Sequence, residues 1–209
     1  MPVQPENTAL ENHCVVVSEG RILDIMPSKE VSAHYSAHRT VRLHHHALIP
    51  GLVNAHTHLP LNFFRGLADD KPLMEWLTMD IWPAEGRLMS PMYASHGARA
   101  AAAECIRSGV TAVNDMYFFG DAIAEELYEI GMRARIGAVC LEFPTPYAQN
   151  ADEYLRKGEE LYHAWKSRDP TGKFDVKPTY QHSIKVFHWK LPSCRSYTSV
   201  YCSSCSIHC

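Results

Sequence analysis

No stretch of the chain reaches the roughly 18 consecutive apolar residues of a membrane-spanning helix. The opening residues, MPVQPENTALENH, lack the basic-then-apolar build of a secretory signal. Neither GxG nor GxxxxGK occurs anywhere, so the glycine-rich turns that cradle nucleotide phosphates are missing. Lysine and arginine (20) are interspersed with aspartate and glutamate (23), for a net charge of -3. There is no basic stripe for nucleic acid and no polybasic patch for a membrane surface. These absences point to a cytoplasmic protein with no nucleic-acid or membrane partner.

What is present is ordinary for a globular protein with a sizeable core: 46% hydrophobic and 21% charged residues among 209. The seven cysteines form two populations. Cys14, Cys105 and Cys140 stand in apolar surroundings and are expected as small buried residues in a reducing compartment. Cys194, Cys202, Cys205 and Cys209 crowd the last sixteen residues.

Residues 14–25, CVVVSEGRILDI, predict two short strands turning at Gly20. After a polar, histidine-rich stretch, ALIPGLVNA is the kind of continuous apolar run found in strands buried on both faces. Ser90 as cap, Pro91 at the first helical position and Gly109 as terminator bracket a helix over 91–108. VTAVND then predicts a strand, DAIAEELYEIG a helix and RARIGAVCL a strand. Residues 151–168 predict an amphipathic helix, and FDVKP a fourth strand. Such alternation gives an α/β class with parallel strands. The missing phosphate-binding turn disfavours an open doubly wound sheet, and each strand ends in polar groups: His56 and His58, Asn114 and Asp115, Glu142, and the region of His182. That pattern favours an eight-fold barrel, whose site lies at the C-terminal ends of its strands.

Side chains alternate along a strand, so His56 and His58 share a side and Thr57 points away. Two imidazoles there can hold one zinc or iron ion. A bare HxH is equally well read as two ordinary polar residues, so its context decides. The run His44-His45-His46 cannot converge on one ion without a sharp bend and is expected as a solvated turn.

The context is LIPGLVNAHTHLPLNFFRGLADDKPLMEWLTMDIWPAE, followed by NDMYFF and EFPTPYA. Over roughly residues 10–178 the chain resembles the amidohydrolase superfamily, in its methylthioadenosine/S-adenosylhomocysteine deaminase branch with the related chlorohydrolases. The resemblance implies the first half of a TIM-like (β/α)8 metal-dependent hydrolase barrel over 48–180, preceded by part of a small β-sandwich over 1–47. It implies metal ligation by His56 and His58, with zinc as the expected divalent ion and iron as the other candidate. Glu85, after Trp-Pro-Ala, falls where the family binds ribose hydroxyls, although it also suits a solvated helix start. His182 falls near a substrate-contacting histidine but lacks the surrounding prolines and tyrosine, and a surface loop histidine is the plainer reading. Leu73, Met74, Trp76 and Leu77 would wall the site or lie in the core. The implied reaction is hydrolytic deamination of a small-molecule purine nucleoside. A guanine- or triazine-type ring substrate is the enzymatic alternative, and a non-catalytic fragment is the other.

After Pro178 the resemblance stops. SCRSYTSVYCSSCSIHC, residues 193–209, has no usable periodicity, and 181–209 reads as an aberrant tail following a truncation or frame change near residue 180. His208 falls near the family's third metal histidine, as a remnant of that ligand or an accident of spacing, and a zinc knuckle from the tail cysteines is disfavoured by their crowding. Leu48 to Cys209 spans 162 residues, against about 250 for a full barrel. The family's metal-binding aspartate and acid/base glutamate have no counterpart here. Little turnover is therefore expected from this chain alone, with an open barrel edge on which a second copy could pair.

Overall fold

Glu19 and Gly20, both at positive φ (49° and 72°), turn β1 (His13–Ser18) back onto β2 (Arg21–Pro27) as an antiparallel hairpin. The protein is described by a computed structural model covering residues 8–168 and the backbone of Phe174–Lys177. A short helix, α1 (Val31–His34), follows the hairpin, and His44 to His46 lie exposed in a turn.

The main sheet is four parallel strands in chain order: β3 (Leu52–Thr57), β4 (Val110–Met116), β5 (Arg133–Gly137) and β6 (Phe174–Lys177). Helices α4 (Pro91–Arg107), α5 (Gly120–Ile130) and α6 (Ala151–Arg168) connect them. This is the expected alternation. The caps that predicted α4 are in place: Ser90 Oγ accepts from the Tyr93 amide at 3.2 Å, Pro91 occupies the first turn, and Gly109 takes φ 81° beyond the end. Among the described residues no helix is long and apolar enough to cross a membrane.

The core lies between the sheet and these helices. Ala94, Ala98 and Ala102 form the fully buried stripe of α4, small enough to let the helix lie close. Ile123 and Leu127 of α5, Ile136 of β5 and Tyr154 of α6 are wholly enclosed. Each such aliphatic side chain stabilises the fold by about 1.5–3 kcal/mol.

Residues 59–88 fold into elements that periodicity did not announce. Leu59–Phe64 is a 3-10 helix, α2 (Leu73–Glu75) a single turn, Trp76–Ile81 a π-helical segment, and α3 (Trp82–Leu88) its continuation. The π turn has a local cause. Pro83 has no amide hydrogen and its ring crowds the preceding turn, while the Trp82 amide reaches back five residues to the Leu77 carbonyl.

Two expectations need correction. The run 47–55 is not buried on both faces: Leu48, Ile49, Leu52 and Val53 are 51–68% exposed, and among the described residues β3 is hydrogen-bonded only to β4. Cys14, Cys105 and Cys140 are free thiols but only half-buried; Cys105 and Cys140 pack against the margin of the core, and Cys14 lies in the hairpin.

Candidate active site

β3 stops at Thr57, and His58 opens the 3-10 helix with φ -128° and ψ 75°. The alternation holds, since the His56 and His58 rings lie side by side with centroids 5.1 Å apart, edge to face. His58 Nδ1 is 2.6 Å from the carbonyl oxygen of Met116 on β4. A carbonyl can only accept, so the ring proton sits on Nδ1 and Nε2 carries a free lone pair. Burial pushes the His58 pKa down, aided by His56 and opposed by the Met116 bond, so the ring is neutral in neutral solution. A neutral imidazole with one nitrogen tied to a backbone carbonyl and the other free is the state of a metal-binding histidine. His56 is the exposed member of the pair.

Glu85 is not solvated. It is 9% exposed and accepts a hydrogen bond on Oε1 from the hydroxyl of Tyr117, itself 6% exposed. Burial raises the Glu85 pKa above the usual carboxylate range, and the Tyr117 bond holds it partly down. The Tyr117 hydroxyl is pushed far up by burial and by the neighbouring carboxylate, so it stays a donor at any working pH. Tyr117 also packs near His58, with ring centroids 5.9 Å apart, linking the histidine pair to Glu85.

Tyr117 was not singled out in the sequence. The available signal was an aromatic run, Tyr117-Phe118-Phe119, directly after a strand ending in polar residues. Phe119 then takes a left-handed conformation, φ 58° and ψ 46°, which swings the chain from β4 into α5.

Asp115 corrects another expectation, because it does not face the strand-end mouth with His56. The alternation along β4 puts it on the face shared with Val113, where it is fully buried. Its Oδ1 accepts from the Leu59 amide at 2.6 Å, and its Oδ2 has no partner. Burial raises its pKa to about 7, with the Leu59 bond opposing. Asn114, on the opposite face, donates to the Ala55 carbonyl at 2.9 Å. Glu142 is exposed, five residues past the end of β5.

Leu73 and Met74 are 54% and 45% exposed, so neither is core, whereas Trp76 and Leu77 pack against it. Among the described residues no cluster of three or more His, Cys, Asp or Glu side chains could hold a metal ion. The structure therefore brings together His56, His58, Tyr117 and Glu85. His182, His208 and the tail cysteines lie outside the described residues.

A model of the amidohydrolase family matches residues 47–182. A protein of Saccharophagus degradans named 5-methylthioadenosine/S-adenosylhomocysteine deaminase is 38% identical over 169 residues, covering 81% of this chain and 38% of that protein. A zinc-bound adenosine deaminase from Xanthomonas campestris superposes with a TM-score of 0.80 at 40% identity, over 86% of this chain and 40% of that one. An E. coli guanine deaminase shares the fold, with a TM-score of 0.60 at 20% identity over 78% of this chain and 38% of its own. The chain thus spans about two fifths of the length of the proteins it matches. The half-barrel order of strands, the histidine pair at the end of the first barrel strand and the family match agree: the chain belongs to the amidohydrolase family.

Proposed function

We propose that the described residues form the metal- and nucleoside-holding half of a hydrolytic deaminase site. Its substrate class is a purine nucleoside of the 5′-methylthioadenosine or S-adenosylhomocysteine kind. The observation that carries this reading is the state of His58: proton fixed on Nδ1, Nε2 free, His56 alongside, and a buried carboxylate linked through Tyr117. The likeness to the Saccharophagus degradans and Xanthomonas campestris deaminases supports it.

His56 and His58 would hold the metal, and the zinc of the Xanthomonas campestris protein makes zinc the ion of choice. When bound, a divalent metal makes a coordinated water acidic enough to serve hydrolysis near neutral pH. The chain's own part is binding and orientation. Glu85 has acceptor capacity beyond its bond from Tyr117, which suits the two hydroxyls of a ribose. His182 is kept as a second substrate contact. The hairpin β1–β2 is assigned to part of a β-sandwich over 1–47, residues 48–180 to the first half of the barrel, and 181–209 are set apart by their Ser/Cys-rich composition. An open edge of the half-barrel suits pairing with another copy. The half-buried free thiols fit a reducing cytoplasm.

Two titrations test this. After dialysis against zinc, the chain should retain metal that His56→Ala combined with His58→Ala removes, and equal retention defeats the metal assignment. Glu85→Ala should weaken 5′-methylthioadenosine binding about tenfold or more, the worth of a hydrogen bond to a charged group, while adenine binding stays as it was. Equal losses for both ligands would remove Glu85 from the ribose subsite.

A further inference from the structure

We propose that Asp115 is a positioning residue for the metal pair: its carboxylate, fixed on β4, holds the Leu59 amide and so sets the turn that aims the His58 imidazole. The inference rests on reading His58 as a metal ligand.

Between Thr57 and Leu59 the chain leaves a strand and enters a 3-10 helix, and His58 is the joint, with backbone angles belonging to neither element. The helix then closes on itself through the Leu61 amide and the His58 carbonyl, 2.9 Å apart. That leaves the first amide, Leu59, without a partner inside the helix. Asp115 Oδ1 fills this place at 2.6 Å. The next residue on β4, Met116, presents its carbonyl to His58 Nδ1 at the same distance. Two consecutive residues of β4 therefore grip the two residues that follow β3, Leu59 through its backbone and His58 through its ring. With only the Met116 bond, the imidazole could pivot about its own backbone. With both, its direction is fixed.

Asp115 is fully buried with Oδ2 unpartnered, and its Oδ1 satisfies a buried Leu59 amide that would otherwise be enclosed without a partner. Gly97 of α4 lies against the same turn, where a Cβ would stand 2.8 Å from Pro60 Cα.

The test uses the 209-residue chain with zinc as the metal probe. Asp115→Ala should weaken zinc binding by about tenfold or more, the usual penalty for losing an outer support of a ligand. It should also replace the single Nδ1–H tautomer of His58, read by nitrogen-15 NMR, with a mixture. Asp115→Asn, whose amide oxygen can still accept from Leu59, should restore both readouts. An Asp115→Ala protein that melts at a lower temperature yet keeps wild-type zinc affinity and a single tautomer would reduce Asp115 to a packing role and overturn the proposal. If that variant does not fold, the wild-type Leu59 amide decides: slow hydrogen exchange supports the clamp, and exchange at the rate of a free amide overturns it. A wild-type chain that binds no zinc defeats the metal reading instead, and the clamp is then judged on the tautomer and the Leu59 amide alone.

Discussion

Replacing Tyr117 by phenylalanine removes one oxygen atom and keeps the ring that packs beside His58 and Phe118. The lost oxygen is the donor to Glu85, and both residues are at least nine-tenths enclosed, so water cannot readily substitute. A hydrogen bond to an ionised group is worth about 1.5–3 kcal/mol, and one to a neutral carboxylic acid about 0.5–1.5. The penalty must therefore depend on the charge of Glu85. Burial raises that carboxyl's folded pKa above its unfolded value. A raised group stabilises the fold fully below the unfolded pKa, and that contribution is lost as pH climbs through the folded pKa. The Tyr117 bond limits this loss by favouring the anion, and Tyr117→Phe lets it deepen. The substitution should cost about 1.5–3 kcal/mol near pH 8 and about 1 kcal/mol less near pH 4. Urea unfolding followed by tryptophan fluorescence measures it, and in thermal melts the larger figure corresponds to roughly 3–12 °C in Tm. A penalty equal at both pH values, or below about 0.5 kcal/mol at the higher one, refutes the account of Glu85 as a buried carboxylate held by Tyr117.

Gly97→Ala should destabilise by about 1–3 kcal/mol, because the new Cβ would meet Pro60 Cα at 2.8 Å and its carbonyl oxygen at 2.9 Å, and neither backbone atom can give way cheaply. A melt showing a gain, as helix propensity alone would give, contradicts the close approach of α4 to the turn after His58. Glu126, buried on α5, accepts from Arg99 and from Ser95 at 2.7 Å, and the Arg99 bond lowers its pKa. A depressed carboxylate contributes stability above its unfolded pKa, lost as pH falls through the folded value, so Glu126→Gln should cost about 1 kcal/mol near neutrality and little near pH 3. The figure is kept low because the Arg99 side chain is 66% exposed, and calorimetry at both pH values checks it.

The parts legible in the sequence were those governed by local rules. Ser90, Pro91 and Gly109 mark the ends of α4 because capping depends on neighbours in the chain. His56 and His58 share a side because a strand has period two. The parts that were not legible depend on which residues meet across space. Asp115 stands next to Asn114 in a strand end that looks uniformly polar, and only the packing of the Leu59 turn beneath it decides which of the two is enclosed. The exposure of Leu52 and Val53 depends on what covers the faces of β3, which an apolar run does not encode. Residues 59–88 escaped because 3-10 and π turns break the 3.6-residue period on which helix recognition depends.

The π-helical segment before Pro83 also sets a phase. Each residue advances an α-helix by about 100°, so a turn that takes in one extra residue rotates everything after it by about that angle. Glu85 lies two residues beyond the proline and owes its bearing to this offset. In an unbroken α-helix through 73–88 the same glutamate would point a quarter-turn or more away from Tyr117. A ring that cannot donate a hydrogen bond thereby directs a carboxylate that must accept one.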